Sequence, residues 1–152
     1  MKRFVGIFLT IPLLVFASPK IVIENPWVKE PPPGPKTTMA GMVIKNEGDE
    51  EDALIEARSD VAKRVELHKT VFENGVAKMV PQKEIVIPPK GEVELKHHDY
   101  HIMLIDLKRK LRPGQKVKLT LVFKKSGEIT VEAPVVKKPK AMQYDHHHQH
   151  HH

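Results

Sequence analysis

From Lys20 to Val135 the chain breaks into apolar-rich runs of four to nine residues, separated by Gly, Pro, Asn and Asp. Runs this short and this regularly punctuated read as β-strands, because turn residues supply the backbone angles that extended segments cannot. Ten candidates follow one another: Lys20–Val28, Thr38–Asn46, Ala53–Ser59, Arg64–Phe72, Val76–Val80, Glu84–Ile87, Val93–Lys96, Tyr100–Leu107, Lys116–Lys124 and Glu128–Val135. Asn74-Gly75 predicts a tight hairpin, since both residues accept positive φ. Ser126-Gly127 predicts a second hairpin, and Pro88–Gly91 and Arg112–Gln115 further turns. Pro31–Pro35 reads as a stiff loop. There is no long helical period and no internal repeat. The pattern predicts an all-β chain forming one antiparallel sandwich or barrel.

The two ends differ from this body. Lys2 and Arg3 precede an apolar stretch from Phe4 to Phe16, which closes on the small residue Ala17. A basic start, an apolar run of 13 residues and a small residue at its end form a signal peptide, here residues 1–17. The run is short for a membrane span, which needs about 20 apolar residues. No second run of that length exists, so no stable membrane insertion is expected once it is cleaved. An uncleaved anchor is the alternative. At the other end, residues 137–152 form a Lys/His-rich tail that closes on His146, His147, His148, Gln149, His150, His151 and His152. Gln149 interrupts the tract, which favours a native segment over an affinity tag. His-rich tracts bind metal by composition alone.

Residues 18–136 remain as the folded domain. The net charge of +6 falls to +4 without Lys2 and Arg3, and the tail accounts for a further +2. The body is therefore only weakly basic. The basic runs Lys108-Arg109-Lys110 in the body and Lys137-Lys138 in the tail lack interleaved aromatics, so a nucleic-acid partner is not expected. The chain has no Cys. That excludes disulfides, thiolate nucleophiles and a thiolate-ligated blue-copper centre, and the fold must rest on its hydrophobic core.

Four side chains stand out as candidate metal ligands: His68, Met79, His101 and Met103. His101-Ile102-Met103 lies in a strand pattern, where residues two apart point to one face. The Asn74-Gly75 hairpin can bring His68 and Met79 to a common side. Taken singly, each has a plainer role: Met as core packing, His as a hydrogen-bonded residue. As a set they suit Cu(I), since thioether sulfur and imidazole are soft or borderline donors, whereas zinc sites use Cys, His and carboxylate. Met39 and Met42 read as core or edge residues.

The joint spacing lifts the set above those plainer roles. The order His68, ten residues, Met79, twenty-one residues, then His101-x-Met103 resembles the pattern of the PCuAC family of periplasmic copper(I) chaperones. The resemblance extends to Pro26-Trp27, Pro33-Gly34, Gly41, Asn46, Val65-Glu66-Leu67-His68, Glu73-Asn74-Gly75-Val76 and Tyr100–Leu104. It continues through Leu111, Gly114 and Leu119–Phe123. It implies a cupredoxin-like Greek-key β-sandwich, with Cu(I) held by His68, Met79, His101 and Met103. It further implies export to the periplasm and delivery of copper to the CuA-bearing subunit of a haem–copper (cytochrome c) oxidase, alongside a Sco-like copper protein.

Two positions depart from the family. Lys69 stands where many members have Met, and would put a cation beside the metal. Lys96-His97-His98-Asp99 stands where members often have Pro-Gly-Gly. His97 and His98 read either as solvated loop residues or as auxiliary ligands. The His tract could hold Cu(II) or another divalent ion.

A carrier without enzymatic activity is the first reading of these residues. A histidine-brace oxygenase would need His at the mature N-terminus, whereas cleavage after Ala17 exposes Ser18. No Ser/His/Asp order or paired carboxylates stand out for hydrolysis. The alternative is a copper or zinc storage module dominated by the His tract.

Overall fold

A computed structural model describes residues 6, 7 and 17–139; the signal segment, apart from those positions, and the His tract lie outside the described residues. Ten strands follow in chain order: β1 (Ile21–Lys29), β2 (Thr37–Asn46), β3 (Asp52–Arg58), β4 (Ala62–Glu73), β5 (Val76–Pro81), β6 (Ile85–Ile87), β7 (Gly91–Leu95), β8 (Tyr100–Leu107), β9 (Lys116–Phe123) and β10 (Gly127–Val136). Each lies within two residues of its expected bounds. The described residues include no helix.

The strands make one continuous hydrogen-bonded path, β5-β4-β8-β2-β1-β10-β9-β3-β6, with β7 pairing β2 off this path. β1 and β10 pair in parallel through Val28–Val135, where the path passes from one layer to the other. The other pairings are antiparallel. One layer holds β5, β4, β8, β2, β1 and β7, and the other holds β10, β9, β3 and β6. The chain crosses between layers after β2, β3, β5, β6 and β8, which gives the Greek-key β-sandwich.

The layers meet through alternate side chains, as the period of two requires. Val117, Leu119, Leu121 and Phe123 of β9 face Ala40, Met42 and Ile44 of β2 and Ile102 and Leu104 of β8 within one buried cluster. Each such aliphatic side chain contributes about 1.5–3 kcal/mol when fully buried. Asn74 (φ 52°) and Gly75 (φ 79°) form the expected tight turn between β4 and β5. This two-residue turn fixes the β4–β5 register and hence the face on which each side chain lies.

Asp52 closes the turn between β9 and β10 from the side. Its buried carboxylate accepts hydrogen bonds from the Ser126 hydroxyl (2.6 Å) and from the backbone N–H groups of Lys125 (2.8 Å), Ser126 (2.9 Å) and Ala53 (2.8 Å). Burial pushes its pKa up, but these donors outweigh burial and hold it below the ordinary carboxylate value of 3.8. The stabilisation is therefore present above about pH 4 and fades as the pH falls through the lowered folded-state pKa. Asp52→Ala is expected to cost about 3 kcal/mol, because it strands several donors at once. Urea unfolding of the variant at pH 7 checks this; an unchanged midpoint would contradict the role.

Candidate metal centre

Strand register brings the four candidate ligands to one face. Between β4 and β8, His68 lies directly opposite His101, and Glu66 opposite Met103. Between β4 and β5, Thr70 lies opposite Met79. Directly opposite residues share a face, as do residues two apart on one strand. Met79, His68, His101 and Met103 thus run in order across three adjacent strands. Their face is the outer one, since Leu67, Ile102 and Leu104 of the same strands enter the core. The His68 and His101 rings stand 5.9 Å apart and edge to face, at 66°.

Although it lies on the outer face, His101 has no solvent exposure. Part of the cover on this face follows from Gly41, which sits opposite Trp27 in the β1–β2 pairing. A Cβ at Gly41 would lie 2.3 Å from the Trp27 indole and 2.2 Å from the Leu95 carbonyl oxygen. Only glycine lets the indole lie flat on β2 here. The donors differ in access: His68 is half-buried, while Met79, on the edge strand β5, is 49% exposed.

Hydrogen bonds select the tautomer of each imidazole. His101 Nδ1 lies 2.8 Å from the Asp99 carbonyl oxygen. A carbonyl only accepts, so Nδ1 carries the proton and Nε2 the lone pair. His68 Nε2 lies 2.8 Å from the Glu66 carboxylate, so Nε2 donates and Nδ1 keeps its lone pair. Both lone-pair nitrogens, His101 Nε2 and His68 Nδ1, are buried without a hydrogen-bond partner. Leaving a buried polar atom unsatisfied costs about 1–3 kcal/mol. Two such atoms on neighbouring rings, on a face that also carries two thioethers, make a donor set suited to a soft cation. Burial, above all, holds the pKa of His101 below the ordinary 6.5, against the upward pull of the Asp99 carbonyl.

Two supporting groups were not singled out in the sequence. Glu66 fixes the ring orientation and tautomer of His68, the arrangement known from carboxylate–histidine–metal centres. The only sequence signal for it is the spacing Glu66-x-His68, which shares a strand face. The Asp99 carbonyl accepts from both His101 and the Thr70 N–H (3.2 Å), tying the β7–β8 turn to β4. A backbone oxygen leaves no sequence signal.

In that turn the His97 and His98 rings stack with centroids 3.7 Å apart, and His98 meets Phe72 edge-on at 5.8 Å. His98 has φ 67°, a conformation that favours glycine. Lys69 corrects one expectation. It lies on the opposite face from His68, with its ammonium 4.8 Å from the centre of the Tyr100 ring, so it does not put a cation beside the site. Among the described residues no three His, Asp or Glu side chains are grouped so as to hold an ion. Met79 and Met103 add thioether donors to the face that His68, His101 and Glu66 share.

Comparison with known proteins bears on this arrangement. Residues 21–135 match the family described as "Putative lipoprotein LpqE-like". The copper-bound PCuAC domain from PmoF2 superposes with a TM-score of 0.66 at 29% identity, covering 80% of this chain and 95% of that one. The solution structure of CuI-DR1885 from Deinococcus radiodurans gives a TM-score of 0.62 at 30% identity, covering 80% of each chain. The chain belongs to the LpqE-like, PCuAC-type family. "Putative lipoprotein Lxx21020" of Leifsonia xyli subsp. xyli (strain CTCB07) is 34% identical over 116 residues, which cover 76% of this chain and 69% of that protein. The cupredoxin-like sandwich expected from the resemblance is thus the fold of this PCuAC-type chain.

Proposed function

We propose that this PCuAC-type chain is an exported Cu(I) carrier. In this reading His68 Nδ1, His101 Nε2 and the thioethers of Met79 and Met103 hold one Cu(I). The observation that carries it is the pair of buried, unpartnered nitrogens on two neighbouring imidazoles, on a strand face that also bears two methionines. Support comes from the solved relatives, which include a copper-bound PCuAC domain and a protein in its CuI form. Four neutral ligands leave the loaded site at +1 and favour Cu(I) over Cu(II), which prefers N and O donors. Thioethers do not titrate and form no disulfides, so they serve in an oxidising compartment.

The chain's own residues suggest a direction of transfer. Met79 is exposed on an edge strand, with Phe72 and Val80 exposed on the same hairpin. An acceptor's ligands reach Met79 first, then His68, while His101 lets go last. The acceptor in this reading is the CuA-bearing subunit of a haem–copper oxidase, with a Sco-like protein as a second partner. The N-terminal segment directs export to the periplasm. The role is carriage, not catalysis. His97, His98 and the His tract are auxiliary donors at most, able to take Cu(II) or another divalent ion.

The test is anaerobic Cu(I) titration against a chromophoric chelator, with residues 18–152 and 18–136 compared. One tight equivalent in both, lost in Met79→Leu/Met103→Leu, is expected, followed by copper transfer to an apo CuA domain. Binding that disappears with the tail would instead establish the storage reading.

A further inference from the structure

We propose that Met39 is a fifth donor of this site, a buried thioether that holds Cu(I) together with His68, His101 and Met103 when Met79 is withdrawn. The inference rests on the proposed copper site and adds to it a residue outside the His/Met motif.

Register places Met39 on the site-bearing face. β2 pairs β8 with Met39 directly opposite Met103. Side chains so paired share a face, with Cβ atoms about 5 Å apart. Met39 therefore extends the row Met79, His68, His101, Met103 by one strand. Its neighbours on β2 alternate as they should: Ala40, Met42 and Ile44 belong to the core cluster, whereas Met39 does not. Yet Met39 is only 8% exposed. Register thus puts a buried thioether on the outer face, where His101 is buried as well.

The row has a compact centre and two different ends. His68 and His101 are directly opposite, and Met103 is two residues from His101 on the same strand. Met79 is diagonal to His68, at a Cβ separation of about 7–8 Å. Met39 is directly opposite Met103 and diagonal to His101. Either methionine can complete a set of two imidazoles and two thioethers around the central three. They differ in access, because Met79 lies on a strand whose six residues are all exposed, while β2 is flanked by β1 on one side and by β8 and β7 on the other. Exchange of Met79 for Met39 replaces one neutral sulfur by another. Copper stays Cu(I), the site stays at +1, and no proton moves. Met79 is then free to engage an acceptor while the ion remains four-coordinate.

The experiment is chelator competition on the full chain and on Met79→Leu, Met39→Leu, the double variant and Met42→Leu. Leucine conserves volume, so the fold tolerates it. Loss of Met79 alone is expected to weaken Cu(I) binding by about tenfold or less, and the double variant by more than the product of the two single losses. Met42→Leu, the same change on the core face, is expected to bind like wild type. X-ray absorption on Cu(I)-loaded Met79→Leu is expected to show two sulfur scatterers per copper, a readout that does not depend on how a Met39 variant folds. One sulfur there, or a double variant no weaker than Met79→Leu, would overturn the role of Met39 and leave the four-residue site standing. A wild-type chain without tight Cu(I) binding would overturn both.

Discussion

Replacing His101 by leucine is expected to lower Cu(I) affinity by at least about 100-fold, since even loss of a residue that only supports a ligand costs about 10–100-fold. The apo fold, in contrast, should stay within about 1 kcal/mol of wild type. The two effects separate because of how His101 is held. Its Nε2 is buried without a partner, so removing it takes away a polar atom that contributes nothing to the apo fold. Its Nδ1–H donates to the Asp99 carbonyl, which keeps a second donor in the Thr70 N–H. Leucine fills most of the space. Alanine would not, and the cavity should add about 2–3 kcal/mol of destabilisation at the same loss of copper. Chelator competition and urea unfolding on both variants read the two quantities. A leucine variant that kept wild-type affinity would remove His101 from the site. A leucine variant as unstable as alanine would mean that the imidazole serves packing and not metal.

How far the sequence alone predicts this centre depends on the range of each contact. The strands were legible because period-two alternation and turn residues are local signals. Asn74-Gly75 even set the β4–β5 register, which places Met79 with Thr70 on the His68 side. The β4–β8 pairing that sets His68 opposite His101 joins residues far apart in the chain, and only the spacing resemblance hinted at it. Glu66 and the Asp99 carbonyl were not legible as supports, because neither shows a function until the tautomers are known. Lys69 was misplaced by sequence adjacency: neighbours on a strand face opposite ways, so the residue beside His68 in the chain is not beside it in space. Nothing in the sequence marks Met39 as a donor, because β2 is apolar on both faces near its start and alternation then carries no sign. Asp52 was missed for a related reason, since its partners Lys125 and Ser126 lie in a turn more than 70 residues away.

Lowering the pH should destabilise the apo protein through His101, and the sign follows from its burial. The folded-state pKa of His101 lies below the ordinary 6.5 because burial penalises the charged ring, which the Asp99 hydrogen bond offsets only in part. The unfolded chain, in which the ring is in water, takes up its proton near pH 6.5. Between 6.5 and the folded-state pKa the unfolded state binds more protons, so unfolding becomes easier as the pH falls. The stabilisation from the neutral ring is complete above about pH 6.5 and is lost progressively below it, at up to about 1.4 kcal/mol per pH unit. Below the folded-state pKa the loss levels off. In the proposed site copper would change this balance, because an ion on Nε2 would occupy the position the proton takes. Within the same window His101 stays neutral in the folded apo chain, so it remains ready to bind at a pH where an exposed imidazole is already protonated. Urea midpoints of wild type and His101→Leu from pH 7.5 to 5 test the argument, since the variant lacks the buried ring and is otherwise the same chain. Wild type should lose more stability than the variant as the pH drops, and Cu(I) should restore most of that loss. Parallel pH profiles would mean that the buried ring is protonated as readily in the fold as in water, and a neutral His101 poised for metal could not then be maintained.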